Sequence, residues 1–205
     1  MLEELRRVVQ EVSAVSDLTR ALKIIVDRTQ AIMASEVCSV YLFDEKSKRY
    51  VFRATRGLNQ EVVGKVSLGE SEGLVGYVAE RAEPVNIENV SVHPRNQHIA
   101  DIGEDALNSF LGVPIIHQGR VLGVLVVQQK TKRKFDESEE AFLITLSAQL
   151  AGVIAHAKAT GTLTQTRARR SSQLFKGSAG APGVAIGTAV VIDPSVDLSQ
   201  VPYRK

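Results

Sequence analysis

Apolar positions recur with a helical period at the start of this chain, at Leu2, Leu5, Val8, Val9, Val12 and Val15. The period restarts after Ser16-Asp17 with Leu18, Ala21, Leu22, Ile25, Val26, Thr29, Ile32 and Met33. Spacings of three and four place such residues on one stripe of a helix, and an Asp ahead of the run can accept from the free amides of the first turn. The pattern predicts two amphipathic helices, the second long enough to cover a sheet face.

The period then shortens. Val37-Cys38-Ser39-Val40-Tyr41-Leu42-Phe43 is β-branched, aromatic and almost wholly apolar, which predicts a central strand buried on both faces. Asp44-Glu45-Lys46-Ser47 reads as a turn into a returning strand over 50–55, closed by Gly57. A short strand is expected near Val62–Leu68 and an edge strand at Pro84-Val85-Asn86-Ile87. Between them, 71–81 has helical spacing despite Gly73 and Gly76. Residues 88–107 carry no period, and loops of that length inside a domain tend to be functional or mobile. Order returns with strands over 109–116 and 121–128, joined by the two-residue turn Gln118-Gly119. Asp136 and Glu139 form a capping-box start, and Phe142, Leu146, Leu150 and Val153 line one face of a helix running to about Lys158.

The composition shifts beyond residue 160, where Arg167, Arg169 and Arg170 stand among Thr, Gln, Ser and Ala. From Phe175 to Ile192, glycines punctuate an apolar alternation, as in a hairpin of a new domain. So short a segment cannot bury a core of its own. The expected organisation is a first domain over 1–157, a linker or helix extension over 158–174, and the truncated start of a second domain over 175–205.

Composition adds mostly exclusions. The 205 residues are 44% hydrophobic and 23% charged, with a net charge of +2, which is ordinary for a globular protein and gives no reason to expect nucleic acid as a partner. Cys38 is the one cysteine, so no internal disulfide forms and nothing suggests an oxidising compartment. No apolar run is long enough for a membrane span, and the N-terminus lacks the layout of a signal peptide. A cytoplasmic protein without membrane contact is expected. His93, His98, Asp101, Glu104 and Asp105 share one loop, but without a recurring ligand spacing no metal is expected there. The basic run Lys130-Thr131-Lys132-Arg133-Lys134 reads either as a solvated turn or as a docking patch for an acidic surface.

Several of these segments, taken in order, resemble a GAF domain over residues 17–157. They are 38–44, Gly57-Leu58, Glu72–Ala79, Val85-Asn86-Ile87, Val113-Pro114-Ile115, Gly123-Val124-Leu125 and Phe135-Asp136-Glu137. The resemblance implies an α+β fold, with a central, mostly antiparallel sheet of about six strands flanked by N- and C-terminal helices. It also implies a small-molecule effector on the sheet face away from those helices, beneath the short helix and the long loop. On that basis Ser39 and Tyr41 on the first strand, and Thr55 and Arg56 at the end of the second, are candidate ligand residues. The Leu74–Val75 backbone would form the rim and Val126 the floor. Arg53 or Arg56 would pair with an anionic ligand, since a guanidinium binds a carboxylate in bidentate fashion. Ser39 and Thr55 read equally well as plain strand residues. Gln129 stands where cyclic-nucleotide-binding GAF domains carry asparagine, and Cys38 lies within a strand, so neither a cyclic nucleotide nor a bilin is expected. The terminal helices pair in related proteins, which implies a homodimer.

Residues 175–189 resemble the start of Enzyme I of the phosphoenolpyruvate-dependent phosphotransferase system. A GAF domain followed by that segment is the layout of the nitrogen-related Enzyme I. The resemblance implies a parent phosphoenolpyruvate–protein phosphotransferase that uses Mg2+, phosphorylates itself on a histidine and passes the group to a small phosphocarrier protein. The GAF domain would then sense nitrogen status through glutamine or 2-oxoglutarate. None of His93, His98, His117 and His156 has the hydroxyl- and glycine-rich setting of the phosphorylated histidine, so no catalytic residue is expected in this chain. The alternative is a dimerisation or interaction module without a working pocket.

Overall fold

A computed structural model describes residues 2–15, 17–97, 102–104 and 106–160. The linker beyond Thr160 and the segment 175–205, with its resemblance to Enzyme I, lie outside the described residues. In chain order the elements are α1 (Leu2–Ser13), α2 (Leu18–Ile32), β1 (Val37–Asp44), β2 (Arg49–Arg56), β3 (Ser67–Leu68), α3 (Gly73–Arg81), β4 (Val85–Ile87), β5 (Ser109–His117), β6 (Arg120–Gln129) and α4 (Glu137–Ala159). Single 3-10 turns at Gln60–Val62 and Val90–Val92 interrupt the connections. The strands form one antiparallel sheet in the order β3-β2-β1-β6-β5-β4, an α+β arrangement.

The central position of β1 explains its unbroken apolar sequence. Cys38, Val40 and Leu42 enter the core beneath the helices, while Val37 and Tyr41 enter a second core on the other face. The helical face is closed by Leu22, Ile25 and Val26 of α2 and by Phe142, Leu143, Leu146, Leu150 and Ile154 of α4, with Val8 and Val12 of α1 joining them. Each large side chain buried there contributes about 1.5–3 kcal/mol.

One expectation needs correcting at α4. By length and mean hydropathy this helix could cross a membrane, although 44% of its most apolar stretch is buried inside the protein. The sequence hides this because Thr145, Ser147 and Gln149 break the apolar run without adding charge. Its hydropathy has a local cause, since α4 supplies much of the core of the helical face.

Turn chemistry follows the sequence. Gln118 and Gly119 take φ values of 48° and 74°, as a two-residue hairpin with the right-handed twist of its strands requires. The Asp17 carboxylate accepts from the Thr19 amide at the start of α2, and Asp136 and Glu139 complete the capping box of α4.

The second strand departs from simple alternation. Val40 lies opposite Ala54 but Tyr41 lies opposite Phe52, so Arg53 is an extra residue in a β-bulge. Phe52 enters the core on the face away from the helices, and Ala54 enters the core beneath them. This change of parity relocates residues 54–56.

The basic run after β6 is only partly a solvated turn. Arg133 makes two 2.7 Å bonds to the Glu139 carboxylate, donates from Nε to Gln129 at 2.6 Å, and stacks 4.5 Å from the Phe135 ring. Asn86 on edge strand β4 donates to the Phe135 carbonyl and accepts from its amide, at 2.9 and 3.1 Å. Together these residues strap the β6–α4 connection across the sheet edge. The Arg133 hydrogen bond holds the Glu139 carboxyl below its ordinary pKa of 4.5, against the opposing effect of burial. A depressed carboxyl contributes stability in full above its unfolded-state value and loses it as pH falls through the folded one. Denaturant midpoints measured against pH should therefore fall below about pH 4.5. Glu139→Gln should flatten that acid limb and lower the neutral-pH plateau.

Candidate functional site

On the face of the sheet away from α1, α2 and α4, a cavity of about 160 Å³ lies between the strands, the start of α3 and the long loop. Its base is built by Tyr41 of β1, Phe110 of β5 and Gln128 of β6. Leu68, Val90 and Leu107 supply apolar wall, while Ser91, Asn96, Gln97 and Glu104 bring polar groups from the loop. The first residues of α3, Gly73, Leu74 and Val75, complete the lining.

The start of α3 is electrostatically distinctive. Glu72 occupies the N-cap position but makes no capping bond. Its carboxylate instead accepts from the Arg49 guanidinium at 2.9 Å and from the Gly69 amide at 2.7 Å. The first-turn amides of α3 therefore receive no capping bond from Glu72, and they carry the partial positive charge of a helix N-terminus. Gly73 enters the helix at φ 63°.

Glu104 brings the opposite sign. Burial, with a smaller contribution from the Glu104 charge, raises the Tyr41 phenol well above its usual pKa, so this hydroxyl stays protonated and can donate. Among the described residues lining the cavity there is no lysine or arginine. An anionic group there would meet backbone amides, and a cationic group would meet a carboxylate.

The structure divides the expected ligand residues into two sets. Tyr41, Leu74 and Val75 line the cavity. Val126 is 2% exposed and belongs to the core of the same face, while Ser39 and Thr55 are buried against each other with their hydroxyls 2.9 Å apart. Thr55 also donates to the Cys38 carbonyl at 3.3 Å, which leaves the pair internally satisfied. Arg53 and Arg56 require correction. Arg53 follows Phe52 onto the opposite face, in a groove beside Thr19, Lys23 and Val26 of α2, and the bulge leaves Arg56 exposed opposite Cys38. Neither arginine is among the residues lining the cavity.

Glu104, Gln128, Asn96, Gln97, Ser91 and Phe110 were not singled out as ligand residues from the sequence. Gln128 left one trace, as a polar residue closing an otherwise apolar strand run. The loop residues left none beyond the length of their segment.

The loop is tied down at the mouth of the cavity. Arg95 donates to the Ser71 carbonyl at 2.8 Å and to Glu80 at 3.2 Å, and lies 5.6 Å from the Tyr77 ring. His93 accepts from the Arg95 amide and stands 5.3 Å from the same ring. His98, Asp101 and Asp105 lie outside the described residues, among which no group of three potential metal ligands forms. Cys38 is fully buried, and burial pushes its thiol pKa far up, so it is a poor nucleophile.

Comparison with known proteins agrees with this fold. The GAF domain family profile matches residues 17–154. A phosphoenolpyruvate-dependent phosphotransferase system protein of Salmonella typhimurium is 43% identical over 188 residues, which are 92% of this chain but 25% of that protein. The chain thus spans about a quarter of that relative's length. The crystal structure of the GAF domain from the Acinetobacter phosphoenolpyruvate-protein phosphotransferase is 51% identical, with a TM-score of 0.74, and covers 78% of this chain and 95% of its own. Its counterpart from Coxiella burnetii is 45% identical with a TM-score of 0.76, covering 78% and 96%. The chain belongs to the GAF domain family, within the group formed by the GAF domains of phosphoenolpyruvate-protein phosphotransferases.

Proposed function

We propose that this domain is the metabolite-sensing, regulatory part of a cytoplasmic phosphoenolpyruvate–protein phosphotransferase, and that it reports nitrogen status by binding glutamine. The observation that carries the reading is the donor set of one cavity. It offers uncapped α3 amides for a carboxylate, the Glu104 carboxylate for an ammonium group, and Asn96, Gln97 and Gln128 for a side-chain amide. An amino acid carrying an amide uses all three. 2-Oxoglutarate has no ammonium group to donate to Glu104 and would bring its second carboxylate into a site without a cationic side chain among the described residues lining it. The parent enzyme would pass its phosphoryl group to a small phosphocarrier protein through domains that this chain does not contain in full.

Calorimetric titration and thermal melting of the whole chain test the reading. Glutamine is expected to bind saturably and raise the melting temperature by mass action, equivalent to about 2.7 kcal/mol at a hundredfold excess over the dissociation constant. 2-Oxoglutarate should bind more weakly, and incubation with phosphoenolpyruvate should leave the chain unlabelled. No saturable response to any amino acid or 2-oxoacid would overturn the ligand assignment.

A specific observation favours a second, compatible role in pairing. Val9 of α1 and Val153 of α4 are half-buried apolar residues beside a small crevice between those helices, against which a second copy could pack its own terminal helices. Light scattering should return the mass of a dimer. A monomer at every accessible concentration would remove that role.

A further inference from the structure

The bulge in β2 leaves Arg53 in a setting that the effector cavity does not explain. The residue lines a separate groove of about 170 Å³ on the helical side of the sheet. Thr19, Lys23 and Val26 of α2 form one wall of it, and Gln60 and Val63 form the other. The Arg53 Nε is buried and, among the described residues, meets no acceptor. A buried guanidinium N–H without an acceptor has given up its bond to water for nothing in return, so the site favours any acceptor that can reach it.

Neighbouring charges do not quench this group. Asp44 feels the Arg53 charge, but its oxygens accept from Ser47 and from the Lys46 amide. Lys23, the second cation of the groove, reaches Asp27 at 3.1 Å with 60% of its side chain exposed. A pair so exposed is weak and free to exchange partners. The other Asp27 oxygen is buried and, among the described residues, accepts no hydrogen bond.

We infer that this groove is a second binding site, on the opposite face of the sheet from the cavity, and that it takes a small oxoanion, either a carboxylate or a phosphate. The planar fork of a guanidinium presents two parallel N–H donors to two oxygens of such a group. Lys23 adds a mobile positive charge, and Thr19 and Gln60 add neutral donors at the rim. The inference stands independently of the glutamine reading, because no residue of the groove is among those lining the cavity.

Nuclear magnetic resonance of the whole isotope-labelled chain tests it, with sodium phosphate and sodium acetate titrated separately against sodium chloride of equal ionic strength. The Arg53 Nε–Hε signal and the amides of Thr19, Lys23 and Gln60 should move saturably, while those of Ser91 and Gln97 in the cavity stay still. Saturation by phosphate alone, by acetate alone or by both supports the site and identifies the group it accepts. Affinity should fall at least tenfold in Arg53→Gln and less in Lys23→Gln. Arg53→Lys, which keeps the charge and loses the fork, should fall between wild type and Arg53→Gln, and it carries the test if the glutamine variant does not fold. Shifts that stay linear, that chloride reproduces, or that persist unchanged in the Arg53 variants would overturn the inference.

Discussion

Replacing Gly57 with alanine is expected to lower stability by about 3 kcal/mol or more. Gly57 follows the last residue of β2 at φ 97°, beyond the small left-handed region open to L-residues, which ends near about 70°. Holding a non-glycine residue in such a region costs about 1–3 kcal/mol. The added Cβ would also run into the Glu36 carbonyl just ahead of β1, and overpacking adds roughly another 1–3 kcal/mol. Because the obstacle is backbone at the entry to the central strand, it cannot be cleared by a change of rotamer. For a chain of this size the melting temperature should drop by roughly 6–12 °C. The effect should reach the cavity as well. Leu58 is buried in the core of the ligand face, and the Asn59 amide donates to the Ile102 carbonyl at 3.1 Å, tying this turn to the loop that brings Glu104. Calorimetric melting with and without effector separates the two losses. An alanine variant that melts with the parent protein would show that the end of β2 can shift without disturbing the sheet.

Glu104→Gln is expected to weaken glutamine binding by roughly 10- to 100-fold. A hydrogen bond to a charged group contributes about 1.5–3 kcal/mol, and the substitution keeps shape and acceptor oxygen while removing the charge that an ammonium group requires. The same change should act in the opposite direction on 2-oxoglutarate, because it removes a like charge from a site that would receive two carboxylates. Titration of both ligands into both proteins therefore reads the sign of the charge facing Glu104. Equal weakening of the two would mean that Glu104 only shapes the loop.

The fold was largely legible because its physical causes are local. An apolar stripe at spacings of three and four must be buried whether or not its partner is known, and β1 declared itself central by having no polar face. The capping box at Asp136 and the turn at Gln118-Gly119 follow from side chains within a few residues of one another. The membrane reading of α4 was incomplete for a related reason, since small polar residues interrupt a run without making the helix hydrophilic.

The site was less legible because it is assembled from distant segments. Residue by residue, resemblance could point to strand positions and the helix rim, and Tyr41, Leu74 and Val75 do line the cavity. It could not foresee that a single bulge after Phe52 would turn Arg56 away from the ligand face, or that Arg53 would lie in a groove beneath α2. Nor could it foresee that Glu72 would turn to Arg49 and Gly69 and leave the start of α3 uncapped.

The sequence alone determined a domain of antiparallel sheet and covering helices, because hydrophobic period and turn chemistry act at short range. It also carried the resemblance that ties this domain to a phosphotransferase. Only the tertiary structure decided which charges meet. Glu104, Gln128 and the amides of α3 converge from positions far apart in the chain, and the arginines expected beside them lie elsewhere. One extra residue in a strand changes the face to which a side chain points, and no local pattern records that.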